Sequence, residues 1–154
     1  MSGKLAAELR QSRPFASLEE EALLNLARTQ EILQQKQAEF FREFHLTRIQ
    51  YNVLRILRGA GDEGLPCNGI AERMVTADPD ITRLLDRLES RQWILRERSR
   101  HDRRVVVARI APAGVELLAS IDQPLRDFIL RLMGRPGQER LEQLIAILET
   151  LREE

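Results

Sequence analysis

Cysteine and histidine are scarce in this chain, and each shortage excludes a class of site. The single cysteine, Cys67, can form neither an intrachain disulfide nor a cysteine-based zinc cluster, which fits a reducing compartment. The two histidines, His45 and His101, are too few for a histidine-rich metal site within one subunit. We therefore expect no metal and no cofactor.

Long apolar runs are also missing. No stretch approaches the roughly 20 apolar residues that a membrane span requires, and the opening MSGKLAAELRQSRPF has no apolar signal core. We expect a soluble, cytoplasmic protein with no membrane partner. The sequence also offers no phosphate-binding loop and no nucleophile paired with a base, so we expect no enzymatic activity.

The charge of the chain is balanced overall but uneven locally. The 24 basic and 24 acidic residues cancel, whereas residues 91–104 hold six arginines against two acids, a local net charge of +4. The six are Arg91, Arg96, Arg98, Arg100, Arg103 and Arg104. The planar arginine fork suits phosphate oxygens and the edges of DNA bases. This segment predicts a local DNA footprint; the alternative is a solvated hairpin tip.

Helical periodicity dominates the first third of the sequence. Ser17 and Glu20 form a capping-box motif ahead of a helical pattern that runs to about Phe44. Its apolar stripe, with glutamines in the middle, favours an interface between helices over a monomer core. Thr47 and Gln50 begin a second helix that ends near Gly59 to Gly61, followed by the loop GDEGLP.

The middle of the chain predicts a helix-turn-helix. A short helix from about Cys67 to Met74 turns Ile70, Ala71 and Met74 inward, and Val75 to Ala77 connect it to a second helix. Asp78 as N-cap and Pro79 at the first position begin this second helix. Its inward face carries Ile81, Leu84, Leu85 and Leu88, and its outward face carries Thr82, Arg83, Asp86 and Arg87. Such a helix lies in the DNA major groove.

Two apolar strands follow this helix. Trp93–Leu95 and Val105–Ile110 are expected to pair around the turn Ser99–Arg104. A helix-turn-helix followed by such a hairpin is a winged helix. We therefore predict a mainly α (α+β) fold with a winged helix-turn-helix core.

The last third of the sequence is helical again. After Pro112 the heptad positions are apolar, and Pro124 should kink the helix. A final helix starts near Gly137 and carries Leu141, Leu144, Ile145, Leu148 and Leu151. The winged core is too small to cover three striped helices, which predicts a dimer interface; the alternative is a monomeric bundle. We expect one domain, 1–154, with its DNA-binding core at 46–110 and dimerisation helices at 17–45 and 112–152.

Several short motifs occur in order between Leu46 and Leu118. They are Leu46-Thr47, Ile81-Thr82-Arg83-Leu84-Leu85-Asp86-Arg87-Leu88-Glu89, Trp93-Ile94-Leu95-Arg96-Glu97-Arg98, Asp102-Arg103-Arg104 and Ala111-Pro112-Ala113-Gly114. Together they resemble the MarR family of transcriptional regulators. The resemblance implies a homodimer of winged-helix subunits that binds a pseudo-palindromic operator, most often as a repressor, and is released by a small anionic or phenolic compound.

The resemblance also assigns residues. The recognition helix would be Pro79–Gln92, and the Asp-x-Arg motif of the wing falls on Asp102 and Arg104. In such proteins the wing arginine enters the minor groove and the aspartate holds a neighbouring arginine. The candidate DNA-binding residues are Thr82, Arg83, Asp86, Arg87, Arg98, Arg100, Asp102, Arg103 and Arg104.

The chain departs from the family pattern in a few places. Gln92 stands where a glycine is usual, and Ile110-Ala111 where Leu-Thr opens the next helix. Both changes concern helix ends rather than DNA contacts. Asp78 and Asp80 lie at a helix tip that should face phosphates. They serve either as helix caps or, for Asp80, as a groove residue that reads a cytosine amine.

Two sensing sites are conceivable. The candidate effector residues, at the junction of the first two helices, are Phe41, Phe44, His45, Arg48 and Tyr51. His45 or Arg48 could pair with the carboxylate of an aromatic effector; alternatively, the aromatics are core and His45 caps a helix. Cys67, at the head of a helix, is either a redox-responsive thiol or a small packed residue.

An alternative function is a winged-helix module that binds protein instead of DNA. The discriminating feature is whether Arg83, Arg87 and the wing arginines share one exposed surface, with two copies about 34 Å apart in the dimer.

Overall fold

The computed structural model describes residues 3–77 and 80–153. The chain divides into two compact units, and the boundary falls between Arg48 and Ile49 in the sequence. In these residues the fold is mostly helical with one three-stranded antiparallel sheet, which confirms the predicted class. Among the described helices, none combines the length and the apolar character needed to cross a bilayer.

The first unit contains two helices, α1 (Leu5–Glu8) and α2 (Leu18–Arg42). The predicted capping box is confirmed in part. The hydroxyl of Ser17 accepts a hydrogen bond from the backbone N–H of Glu20 at 3.1 Å, and the Glu20 carboxylate accepts from the N–H of Ala16 at 2.6 Å. In a complete capping box the Glu20 carboxylate would accept from the N–H of Ser17 itself. Here it accepts from Ala16, one residue before the cap. The helix ends at Arg42, slightly before the predicted end.

Most of the apolar stripe of α2 remains exposed. Its buried residues are Phe40 and Phe41, at its carboxyl end. By contrast, Leu18, Leu23 and Leu26 are 78%, 66% and 41% exposed. Burial of apolar side chains is the main force that stabilises a helix in a protein. The subunit therefore leaves this part of α2 without a cover.

The second unit contains the remaining elements. They are α3 (Arg48–Ala60, beginning at the boundary), a 3₁₀ turn (Gly61–Glu63), β1 (Leu65–Pro66), α4 (Cys67–Ala71), α5 (Ile81–Ser90), β2 (Ile94–Arg98), β3 (Val106–Ile110), α6 (Pro112–Met133) and α7 (Gln138–Thr150). Fully buried residues of this unit are Val53, Leu54, Leu57, Ile70, Leu88, Ile94, Leu118 and Ile121. This core fixes the helix-turn-helix and the sheet.

The helix-turn-helix is present with two corrections. Helix α4 ends at Ala71 instead of Met74, and Ala71 is exposed instead of inward. Helix α5 begins at Ile81 with Asp80 as its N-cap, whereas the predicted start at Asp78 and Pro79 falls outside the described residues. The predicted inward residues of α5 are all buried. The spacing of the apolar residues at intervals of three and four therefore identifies the correct buried face, although the helix boundaries differ from the prediction.

The sheet contains a strand that the sequence did not indicate. Its order is β1-β3-β2, so the wing strand β3 is central, with Leu65 opposite Ala108 and Ile94 opposite Ile110. Strand β1 lies in the predicted loop GDEGLP. Strand β2 begins after Trp93 and extends to Arg98, beyond the predicted end at Leu95. The longer strand includes Arg96 and Arg98, whereas the predicted strand stopped before them.

Helix α5 ends in a Schellman motif. The N–H of Gln92 donates to the carbonyl of Glu89 at 2.8 Å, and the N–H of Trp93 donates to the carbonyl of Leu88 at 3.1 Å. Gln92 has a φ of 60°, the left-handed conformation in which a side chain is disfavoured. The family glycine at this position thus has a conformational reason, and Gln92 adopts the same backbone under strain.

Helix α6 continues through Pro124 without a break. Leu118 and Ile121 are buried, whereas the predicted heptad residues Leu125, Phe128 and Leu132 are half-buried. A carboxylate on α6, Asp122, accepts two hydrogen bonds from Arg58 of α3 at 2.9 and 3.0 Å. These bonds hold the pKa of Asp122 below its usual value. Helix α7 begins after Gly137, as predicted, and buries none of its residues.

We predict opposite effects of alanine at two helical glycines. A Cβ atom at Gly114, in the first turn of α6, would lie 2.3 Å from the Trp93 carbonyl oxygen, so Gly114→Ala should lower the free energy of unfolding by about 1–3 kcal/mol. A Cβ at Gly59, near the end of α3, would meet nothing within 4 Å. Gly59→Ala should therefore raise the free energy of unfolding by about 0.5–1 kcal/mol. Urea unfolding measures both, and equal effects would contradict the packing at Gly114.

A second prediction concerns Gln92. Gln92→Gly should raise the free energy of unfolding by up to about 1 kcal/mol, because relief of the left-handed strain exceeds the entropy that glycine adds to the unfolded chain. The control is Gln92→Ala, which keeps the strain and should bring no gain. A lower urea midpoint for the glycine variant would show that the Gln92 side chain makes a stabilising contact larger than the strain.

Candidate nucleic-acid interface

The outward face of α5 is polar and accessible. Thr82, Arg83, Asp86 and Arg87 are exposed, while Leu84, Leu85 and Leu88 on the other face are buried. The helix is amphipathic because its apolar residues recur at intervals of three and four. The buried side anchors the helix on the core, so the polar side is presented to solvent in a fixed orientation.

Asp80 is a helix cap. Its carboxylate accepts a hydrogen bond from the backbone N–H of Arg83 at 3.1 Å, and its second oxygen lies 3.7 Å from the Arg83 Nε. Negative charge at a helix N-terminus is favoured by the helix dipole. The first of the two alternatives for Asp80 is therefore confirmed, whereas Asp78 lies outside the described residues.

Arg96 connects the wing to α5. Its Nη2 atom lies 2.6 Å from an Asp86 oxygen and 2.5 Å from a Glu89 oxygen, and its Nε and backbone N–H also donate to Glu89 at 3.0 and 3.2 Å. The Arg96 side chain is only 26% exposed. Hydrogen bonds from Arg96 lower the pKa of Glu89, so the carboxylate remains charged in a partly buried pair.

This contact changes the interpretation of two predicted residues. Asp86, a candidate DNA-binding residue, is engaged by Arg96. Arg96, one of the six arginines of the basic segment, is held against α5, and Arg91 stacks over the Trp93 ring at 3.9 Å. Arg96 is thus taken out of the exposed basic group, which leaves Arg98, Arg100, Arg103 and Arg104 exposed on the wing and Arg91 exposed beside Trp93.

The turn of the wing is fixed by its own polar groups. The N–H of Ser99 donates to the carbonyl of Val105 at 2.8 Å, and the Ser99 hydroxyl accepts from the N–H of His101 at 3.2 Å. The Asp102 carboxylate accepts from the backbone N–H of Arg104 at 2.9 Å. The resemblance implied that Asp102 holds an arginine. Here the contact is with the main chain of Arg104, which leaves its guanidinium exposed.

A hydrogen-bond contact and an ion pair also connect the wing to neighbouring elements. His101 Nε2 at the tip lies 3.1 Å from a Glu63 oxygen in the 3₁₀ turn, and Arg109 of β3 lies 3.0 Å from Glu97 of β2. Sequence reasoning did not identify Glu63, because it is 38 positions away from His101. The pairing of β1 with β3 brings the 3₁₀ turn close to the wing, and only the fold reveals it.

The predicted effector residues fall in both units. In the first unit, Phe41 is buried with its ring 5.2 Å from the Phe40 ring, Phe44 lies 5.3 Å from Phe40, and His45 is exposed with a φ of 55°. The burial of Phe41 favours the core alternative for that residue. In the second unit, Tyr51 is half-buried, and this burial raises the pKa of its hydroxyl. Arg48, at the boundary, is half-buried.

Cys67 has a free thiol and is exposed at the head of α4. The alternative of a packed residue is therefore wrong, while a redox role stays a prediction. The thiol lines a cavity of about 270 Å³ together with Thr82, Leu85 and Arg96. Within residues 3–77 and 80–153, no three histidine, cysteine or acidic side chains are grouped so that they could hold a metal ion.

Comparison with solved structures shows where this architecture is known. The chain is similar to a MarR transcription factor from Planctomyces limnophilus, with 40% identity and a TM-score of 0.68 over 88% of this chain and 98% of that one. It also shares its fold with MepR of S. aureus, solved in complex with DNA (23% identity, TM-score 0.72, 85% and 94% covered).

A third solved relative by fold is BpsR of Bordetella bronchiseptica, whose DNA binding is regulated by 6-hydroxynicotinic acid (17% identity, TM-score 0.79, 92% and 99% covered). The sequence model of the MarR family matches residues 46–106, which include the recognition helix and most of the wing. Taken with the 40% identical relative, this match shows that the chain belongs to the MarR family of transcriptional regulators.

Proposed function

We propose that this DNA-binding regulator recognises a pseudo-palindromic operator as a homodimer, represses the adjacent promoter and is released by a small aromatic or carboxylate effector. The observation that carries the proposal is the arginine-rich wing held against an exposed recognition helix by Arg96. The two DNA-reading elements are thus presented as one preorganised unit. Preorganisation lowers the conformational cost of binding.

The two elements would play different roles on DNA. Thr82, Arg83 and Arg87 would enter the major groove, where arginine forms paired hydrogen bonds with guanine. The wing arginines Arg98, Arg100, Arg103 and Arg104 would contact phosphates and the minor groove, with Asp102 shaping the turn. Asp86 would act through Arg96 rather than by reading a base. The solved complex of MepR with DNA supports this use of the fold.

The homodimer is supported by the exposed apolar faces of each unit. In the first unit, α2 exposes Leu18, Leu23 and Leu26. In the second, α7 buries nothing and exposes Ile145, Ile147 and Leu151 at 55%, 58% and 68%. Exposed apolar patches of this kind mark interfaces. Because most soluble oligomers are homo-oligomers, a second copy of this chain is the expected partner.

The proposed effector is a small aromatic or carboxylate compound. BpsR, which shares the fold, is regulated by an aromatic carboxylate. Here Phe44, His45, Arg48 and Tyr51 are only partly buried or exposed and supply aromatic and cationic groups, which suit such a compound. Phe41 is buried and would not contact the ligand.

We predict distinct effects on operator binding for the helix and the wing. Arg83→Ala and Arg87→Ala should each weaken binding by about 1–3 kcal/mol and relax the preference at one position per half-site, because they remove base contacts. Arg104→Ala should weaken binding to all sequences and reduce the slope of log affinity against log salt by about one. Fluorescence anisotropy with upstream DNA and random DNA, at several salt concentrations, measures both.

The matched control is Arg13→Ala, which removes an exposed arginine outside α5, the wing and the predicted dimerisation helices and should leave affinity and salt slope unchanged. If all three interface variants behave like this control, the assignment of α5 and the wing to DNA is wrong. A protein partner would then be the favoured alternative.

The dimer proposal is tested on α7. Ile145→Glu should raise the dimer dissociation constant at least about tenfold, because an unpaired charge would be buried in the interface. Sedimentation equilibrium measures this constant. The control is Gln143→Glu, a charge added to an exposed position of the same helix. A wild-type monomer, or a dimer indifferent to Ile145→Glu, would contradict an interface that includes α7.

A further inference from the structure

We propose that Glu63 of the 3₁₀ turn is a positioning residue for DNA binding: it holds the tip of the wing through His101, and it does so more firmly at acidic pH. His101 Nε2 lies 3.1 Å from a carboxylate oxygen of Glu63. The two residues are 38 positions apart, so the contact joins two separate elements of the winged unit. The inference rests on the role in DNA binding proposed above for the wing.

The turn that carries Glu63 is fixed against the sheet. Leu65 of β1 is paired with Ala108 of β3, and Gly64 lies between this strand and Glu63 in the chain. Gly64 has a φ of 65°, and a Cβ atom there would lie 2.5 Å from the Ala108 carbonyl oxygen. A glycine therefore allows the backbone of the turn to lie close against β3. Glu63 is thus anchored beside the same strand from which the wing extends.

The tip of the wing, residues Ser99–Arg104, has few restraints from other elements. Its hydrogen bonds to the side chains of Ser99 and Asp102 shape the turn from within. Among the residues that the structure describes, the contact with Glu63 is the one hydrogen bond or ion pair that joins this tip to a residue outside the wing. The exposed arginines of the tip are Arg100, Arg103 and Arg104. Their positions are therefore restrained through Glu63.

A tip that is held in this way favours DNA binding. A free turn has to be ordered when its arginines reach the DNA, and the lost conformational entropy weakens the complex. The contact with Glu63 removes part of this cost before the DNA arrives. The side chains of His101 and Glu63 are 81% and 76% exposed, so the pair is weak and the expected effect is only a few-fold.

The charge of His101 sets the strength of the contact. Histidine ordinarily changes charge between about pH 5 and 8, whereas glutamate is ordinarily ionised in that range. A neutral ring can donate one hydrogen bond to Glu63, and a protonated ring forms an ion pair with it. The other charged groups around the pair are Asp62 of the 3₁₀ turn, Arg100, Asp102, Arg103 and Arg104 of the tip, Arg55 of α3 and Arg73 after α4. Glu63 is the acid in contact with the ring, so proton uptake strengthens the contact.

A pH dependence of DNA binding follows from this contact. If DNA binds the held tip better than the free tip, linkage requires that DNA binding also favours the proton on His101. Operator affinity therefore rises as the pH falls through the range in which histidine gains its proton.

The first test measures the tip in the free, full-length chain. NMR order parameters of the Cα–H bonds of residues 99–104 are compared at about pH 6 and about pH 8. In the wild type they should be higher at the acidic pH, because the ion pair restrains the tip. Glu63→Gln should lower them at about pH 6 and remove most of the difference between the two conditions. Asp62→Asn removes the neighbouring acid and keeps the contact, so it is the matched control.

The second test measures the operator affinity of the same variants by fluorescence anisotropy. The wild type should bind about two- to fivefold more tightly at about pH 6 than at about pH 8, and Glu63→Gln should bind about two- to fivefold more weakly than the wild type at about pH 6. The sign discriminates, because loss of a negative charge near phosphates would by itself strengthen binding. Asp62→Asn measures that electrostatic effect, and thermal unfolding verifies that each variant is folded.

A second background isolates the pair. In a chain that also carries His101→Gln, Glu63→Gln should change operator affinity no more than Asp62→Asn does, because the contact is already lost. A full effect of Glu63→Gln in this background would show that Glu63 acts without His101 and would overturn the proposal.

Two further results would overturn the positioning role. One is tip order that Glu63→Gln leaves unchanged, and the other is a Glu63→Gln variant that binds the operator at about pH 6 as tightly as the wild type or more tightly. Arg104→Ala separates this inference from the proposed function. If Arg104→Ala weakens binding and Glu63→Gln does not, the wing binds DNA and only the positioning role is wrong. If neither variant weakens binding, the proposed role of the wing is wrong and the positioning role is rejected with it.

Discussion

The contact of Arg96 with Glu89 and Asp86 is the interaction on which the proposed DNA-binding surface depends. A wing is a two-stranded extension of a sheet, and such a hairpin has little stability by itself. Arg96 holds β2 against α5 through a partly buried, charge-assisted set of hydrogen bonds. Because the same residue fixes both elements, the recognition helix and the wing cannot change orientation independently.

The sequence predicts features that depend on near neighbours. The cap at Ser17, the buried face of α5 and the start of α7 after Gly137 all follow from spacing within one or two helical turns. The exposed wing arginines follow from a polar turn between two apolar strands. The left-handed conformation of Gln92 is not among these features, because the resemblance marks position 92 only as one where a glycine is usual.

Other features depend on residues that are distant in sequence and could not be predicted. Strand β1 consists of two residues, one of them proline, and exists because β3 offers it a free edge. The engagement of Arg96 by Glu89, and of Glu63 by His101, is decided by how helices and strands pack. Periodicity alone places Ala71 inward, but α4 has five residues and is too short to form a complete apolar face.

The junction between the wing and α6 has a mechanical consequence. A single residue, Ala111, separates β3 from α6, and its N–H donates to the Trp93 carbonyl at 2.9 Å. The close approach of Gly114 to the same carbonyl fixes the first turn of α6 against the hairpin. No flexible linker lies between β3 and α6, so we expect the first turn of α6 and the wing to move together. In a dimer whose interface includes α6, the distance between the subunits and the angle of the wing would then change together. A change in either would alter operator affinity.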